Sequence, residues 1–326
     1  MTLPLTRRRL LHLAGASCPA IAMIGAVKAE GGTTIGAVQA EALLANRTPI
    51  RIGSVALRVR DLEKMTAFYR DVLGLAVLER TGSQVRLGAG GFPLLALEHK
   101  PSATLEPPTS AGLYHTAFLM PSRKDLARWL VHVAVNRVPL AGFADHLVSE
   151  AVYLDDPEGN GIEVYSDRDP NQWKWSDGAV IMGTEQLDVD GILSLTNIRV
   201  NDYAQAPEGL RIGHMHLRVG GLESAAAFYR DAVGFAPTRQ RNGATFLSSG
   251  GYHHHVGMNT WRSAGAGMRD ETATGLAWFS LHVADSAILE QQEQRLRKAG
   301  AAVATITGGI ETADPWGTRL RLLRTD

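Results

Sequence analysis

The chain has 326 residues, 45% of them hydrophobic, enough for about two globular domains at roughly 100–200 residues each. Its 33 basic and 33 acidic residues balance, so no general field draws in nucleic acid or an anionic membrane surface. The expected partner is a small molecule.

At the N-terminus, Arg7, Arg8 and Arg9 precede the apolar run LLHLAGASCPAIAMIGAV, which closes at Val27-Lys28-Ala29. This is a secretory-signal layout, and TRRRLL resembles the twin-arginine export signal, which carries proteins already folded and loaded with cofactor. Residues 1–29 are expected to be cleaved and the mature protein exported to the periplasm, with 30–49 as a linker. A membrane anchor fits less well, because His12 and Pro19 interrupt a stretch already marginal against the roughly 20 apolar residues of a span. No stable span is expected in the mature protein. Cys18, the one cysteine, leaves with the signal, so a metal would have to be held by histidine and carboxylate.

Beyond the linker the chain repeats itself. IGSVALRVRDLEKMTAFYRDVLGL (Ile52 to Leu75) matches IGHMHLRVGGLESAAAFYRDAVGF (Ile212 to Phe235) without a gap. In each copy an alternating apolar strand leads into a helix with apolar residues at helical spacing, which stops at Gly74 or Gly234. Short β-rich segments with Gly-Gly turns follow: SQVRLGAGGFPLLALEH in the first copy and ATFLSSGGYHHHVGMN in the second. Two further units start at Gly112 (GLYHTAFLMP, a helix near Arg123 to Val138, YLDDPEGNGIEVYS) and Gly275 (GLAWFSLHVAD, a helix near Ala287 to Ala299, DPWGTRLRLL). The pattern predicts an α+β protein of four βαβββ modules, two in 50–167 and two in 210–326. The connection over 168–209 carries WKW and the strand-like GAVIMG, so part of it should pack.

The paired modules, the phrases AFYRDVLG and DPEGNGIEVY, and the segment GGYHHHVGMN resemble the vicinal oxygen chelate superfamily. Within it they resemble the two-domain bacterial catechol 2,3-dioxygenases. The resemblance implies modules paired into two open barrels, with a divalent metal bound inside by residues of the first and last strands. The first-strand positions are Ser54, His115, His214 and Trp278; the last-strand positions of modules two and four are Glu163 and Arg321. Modules one and two together would lack one histidine, and modules three and four would offer His214 alone. Pairing the inner modules assembles His115, His214 and Glu163, a two-histidine, one-carboxylate set suited to Fe(II), with Mn(II) also accepted. One metal per chain and an empty outer barrel are expected. The inner modules could pair within one chain or between chains of a homo-oligomer. Singly, a strand histidine usually serves the core and a strand-end glutamate is usually solvated; the joint occurrence at equivalent module positions carries the reading.

If GGYHHHVGMN is a strand, His253 and His255 share one face and His254 takes the other. The resemblance makes His254 the acid/base, working at neutral pH with a pKa near the ordinary value of about 6.5, and leaves His253 and His255 outward and solvated or interfacial. It also implies a substrate-binding role for Tyr153, ten positions before Glu163, and a substrate-orienting role for His146. His216, on the face of His214, reads as packing or as hydrogen-bonding support. The activity implied is extradiol cleavage of a catechol by O2. Two alternatives stay open: a glyoxalase-like isomerase, which needs a second glutamate in the region of His254 to Gly257, and a metal-free protein binding an aromatic or drug molecule.

Overall fold

The computed structural model describes residues 43–324. The expected export signal and the first part of the linker lie outside the described residues. The end of the linker does pack: Leu44–Arg47 form one helical turn, and Ala45 and Thr48 are buried.

Each repeat folds as strand, helix and three strands because its local signals agree. In module one the strand Ile50–Val59 is followed by the helix Leu62–Leu73, which starts where the Asp61 side chain accepts from the Lys64 N–H. Leu62, Met65, Tyr69, Val72 and Leu73 recur at helical spacing and are buried. The helix ends at Gly74, whose φ of 73° suits glycine and where a Cβ would stand 2.4 Å from the Ala206 nitrogen. The first strands of modules two, three and four are Gly112–Leu119, Arg211–Arg218 and Gly275–Val283, and their last strands are Gly161–Asp167, Val256–Asn259 and Arg319–Arg324.

The strands assemble into two eight-stranded sheets, each a half-barrel of a mixed α+β fold. One sheet joins modules two and three through antiparallel pairing of Gly112–Leu119 with Arg211–Arg218. The other joins modules one and four through Ile50–Val59 and Gly275–Val283. The inner modules thus pair within one chain. A large apolar core, from Ile50 and Leu57 through Phe118 and Trp129 to Phe279 and Leu322, is continuous across both sheets.

Consecutive modules are tied by a different device. The tyrosine of each FYRD phrase reaches into the following module, Tyr69 to Asp156 at 2.9 Å and Tyr229 to Asp314 at 3.3 Å. The two inter-module loops meet at Glu106, whose mostly buried carboxylate takes Arg218 Nη2 at 2.6 Å and Arg269 Nη2 at 2.7 Å. Two mostly buried guanidinium groups share this one anion, so removing it leaves both uncompensated. Glu106→Ala is expected to cost about 3–5 kcal/mol of stability in urea unfolding, against about 1–3 kcal/mol for Tyr69→Phe, which deprives a buried carboxylate of one donor.

Candidate metal centre

Two transverse rows of side chains on the inner sheet build the site. Residues paired directly across neighbouring strands project to the same face. The first row runs Tyr153, Glu163, Ala117, His214. The second runs Gly161, His115, His216, Gly257, Phe246. Ala117 between Glu163 and His214, and Gly161 and Gly257 on either side of the His115–His216 pair, leave the imidazoles and carboxylate room to converge.

A bulge aims His214. Ile212 pairs with Phe118 and His214 with Ala117, so Gly213 is an extra residue in its strand. The irregularity sends Ile212 to the apolar core and His214 to the opposite face. A Cβ on residue 213 would lie 1.8 Å from the Tyr165 hydroxyl, so only glycine fits. A second irregularity, opposite His216 and Leu217, brings Tyr114 to the mouth of the cavity.

His115 Nε2 lies 3.0 Å and His214 Nε2 3.2 Å from the same oxygen, Glu163 Oε2. All three side chains are buried, at 6%, 1% and 2% exposure for His115, His214 and Glu163. Two ligands bound at right angles, each about 2.1 Å from one ion, stand about 3 Å apart, so these separations fit a shared metal. A further sign is that His115 Nε2 is buried and, despite its closeness to the carboxylate, makes no hydrogen bond. Protonation also suits ligation. Burial lowers the His214 imidazole to about 4, so it is neutral at neutral pH. Burial would push the Glu163 carboxyl up, but the His214 and His115 imidazoles facing it outweigh burial and hold it well below the usual carboxylate range. The residues present therefore fit a divalent cation.

Around this point lies a cavity of about 350 Å³, walled by Tyr114, Phe143, Phe246 and Trp261 and floored by the ligand-type residues. Tyr153 and His146 both line it, with Tyr153 Oη 2.6 Å from His146 Nε2. His146 Nδ1 is 2.8 Å from the Gly183 carbonyl, which can only accept, so Nδ1 donates there and Nε2 accepts from the tyrosine. Burial, and then the Glu163 charge, raise the Tyr153 hydroxyl well above its ordinary value, so it remains a donor. His216 lines the wall beside Asn259, whose Nδ2 is 3.0 Å from His216 Nε2.

The triple-histidine stretch departs from its sequence reading in three ways. The strand begins only at Val256, so His253 to His255 occupy the bend before it. His253 and His255 are fully buried, not solvated or interfacial. His255 is held by Ser248 Oγ at 3.0 Å and Thr48 Oγ1 at 3.2 Å, while His253 bonds to Asp167 and to His254. His254 does line the cavity, its ring centroid 4.1 Å from that of His214. It does not keep an ordinary pKa: burial, then the neighbouring His214, lower it well below 6.5, so it is a neutral imidazole.

Met182, Gly183 and Thr184, from the connection, complete the wall, as do Trp261 and Arg241. The sequence signal for the first two is GAVIMG, whose packing is legible in the sequence but whose destination is not. In the outer sheet Ser54, Trp278 and Arg321 line a cavity of about 320 Å³ at the matching place. Ser280 pairs with Arg321 as Ala117 pairs with Glu163, and the Arg321 guanidinium stacks 4.0 Å from the Trp278 ring. These residues supply no ligand set.

The family model described as Glyoxalase/Bleomycin resistance protein/Dioxygenase superfamily matches residues 51–164 and again 211–322. The chain belongs to this superfamily. This superfamily member is 38% identical over 269 residues to catechol-2,3-dioxygenase of Bacillus subtilis (strain 168), a match covering 81% of this chain and 93% of that protein. It is 29% identical over 120 residues to biphenyl-2,3-diol 1,2-dioxygenase 3 of Rhodococcus globerulus, over 36% of this chain and 63% of that one. Glyoxalase I from Zea mays shares the fold with a TM-score of 0.52 at 14% identity, over 84% of this chain and 92% of the other. The expectation of a two-domain superfamily protein with the α+β glyoxalase-like fold therefore holds.

His214→Ala is expected to reduce bound metal, measured by mass spectrometry after loading with Fe(II), to below about a tenth of the wild-type content, since one of three ligands is lost. Ser54→Ala is expected to leave metal content unchanged; loss of metal in that variant would place the site in the other sheet.

Proposed function

We propose that this protein is an extradiol dioxygenase that cleaves catechol or a substituted catechol with O2, using Fe(II) held by His115, Glu163 and His214, with Mn(II) as the other metal the set accepts. The observation that carries the reading is the three-ligand cluster at the base of an aromatic-walled cavity, with two hydrogen-bonding groups and a neutral imidazole beside it. Similarity to the Bacillus subtilis catechol-2,3-dioxygenase over most of both chains supports it.

Bound there, Fe(II) would supply a centre at which both catechol oxygens and O2 can gather. The chain's own residues do the rest. Tyr114, Phe143, Phe246 and Trp261 bury the ring and exclude water. Tyr153, held by donating to His146, presents a fixed hydroxyl oxygen that accepts from a substrate hydroxyl. His254 takes a catechol hydroxyl proton on its free ring nitrogen and returns it later.

An isomerase reading needs a second carboxylate, and register locates its place. Ala117, two residues after His115, pairs with Glu163; His216, two residues after His214, pairs with Gly257. Gly257 thus stands where a fourth protein ligand would come from, which favours an open coordination side. The arginine-led apolar segment before residue 30 supports export to the periplasm as part of the same proposal.

The deciding experiment is oxygen uptake by protein reconstituted anaerobically with Fe(II) and then given catechol. Uptake equal to catechol consumed, with a yellow product, is expected; bound metal without uptake would overturn the reading. His254→Ala should keep its metal and turn over about 10²–10⁴ times more slowly, as for loss of a general acid/base.

A further inference from the structure

Behind His254 lies a chain of largely buried hydrogen bonds that the metal cluster does not explain. His254 Nδ1 is 2.8 Å from His253 Nδ1, and His253 Nε2 is 2.9 Å from Asp167 Oδ1. His253 is fully buried between Trp173 and Tyr252, with ring centroids 5.0 and 4.0 Å away. Asp167 Oδ1 also takes the Tyr252 hydroxyl at 3.2 Å. Asp167 leaves the same strand as Glu163, four residues on and so on the same face. One strand therefore delivers both a ligand-type carboxylate and the end of this chain.

The order of donors follows from what each group can do. A carboxylate only accepts, so His253 donates through Nε2–H. With one N–H on the His253 ring, spent on Asp167, its Nδ1 accepts and the donor facing it is His254 Nδ1–H. His254 Nε2, on the side that lines the cavity, is left with a lone pair. We propose that Asp167 and His253 are positioning residues that fix His254 in the tautomer able to take a proton from substrate at Nε2. When a substrate hydroxyl gives its proton to Nε2, the imidazolium formed keeps its Nδ1–H on His253, whose own N–H rests on the Asp167 carboxylate. No bond other than O–H and N–H changes, and the new positive charge is stabilised through two hydrogen bonds by a mostly buried carboxylate. This inference rests on the acid/base role given to His254, but the tautomer itself does not depend on that role.

The test uses full-length protein labelled with 15N-histidine and loaded with Zn(II) as a diamagnetic probe. In the wild type the His254 nitrogen shifts should place the proton on Nδ1 and a lone pair on Nε2. His253→Phe keeps an aromatic ring against Trp173 but removes the acceptor, and should leave the His254 proton shared between both nitrogens. Asp167→Asn retains an accepting oxygen without the charge, so the tautomer should stay while turnover falls. With Fe(II) and catechol, both variants should lose roughly 10–100-fold in kcat, with KM and metal content unchanged. A proton on Nε2 in the wild type, identical His254 shifts in His253→Phe, or unchanged kcat in both variants would overturn the proposal. Wild-type protein that binds metal yet consumes no oxygen would instead overturn the dioxygenase reading, and the nitrogen shifts would still decide the tautomer.

Discussion

The register between two antiparallel strands is the constraint on which the site depends. Gly112–Leu119 and Arg211–Arg218 meet with His115 opposite His216 and Ala117 opposite His214. A slip of one residue would turn every one of these side chains to the other face, and the apolar core behind the sheet prevents it by burying Phe118, Ile212, Met215 and Leu217. The bulge at Gly213 reconciles the two demands, letting Ile212 go to the core while His214 goes to the cavity. The glycine exists for the clearance of Tyr165, not for a turn.

Burial then sets the chemistry. Three imidazoles around the cavity, His214, His216 and His254, are held neutral because each is enclosed with little water to solvate a charge. Neutral imidazoles ligate metals and accept protons; protonated ones do neither. Glu163 keeps its charge in the same enclosure because two imidazoles face it. Tyr153 keeps its proton for the converse reason, burial beside an anion. The site is thus a set of protonation states selected by packing.

The outer sheet shows what the shared architecture alone does not give. It repeats the parallel and antiparallel pairings and even has a cavity, but Ser54, Trp278 and Arg321 fill the matching positions. Arg321 stacks on Trp278 and pairs with Glu311 at 2.8 Å, so the guanidinium already has its partners there. Two sheets of one architecture therefore differ in chemistry through three side chains.

By itself the sequence determined the four modules, because the repeat, the helical spacing and the stops at Gly74 and Gly234 are local signals. It also determined which positions could hold a metal, since only His115, His214 and Glu163 offer ligand atoms at the module positions that the family resemblance singled out. Tertiary structure alone decided the rest. Alternation made His253 and His255 look solvated, yet the stretch is a bend closed over by the connection and by the residues before Ile50, so both are buried. Asp167 gave no sequence signal because its partner lies 86 residues away and is met only when modules two and three close. Met182 to Thr184 reached the cavity wall for the same reason. Periodicity reports which face a residue takes on its own element; what that face meets is decided by which distant strands pair, and that is a property of the closed sheet.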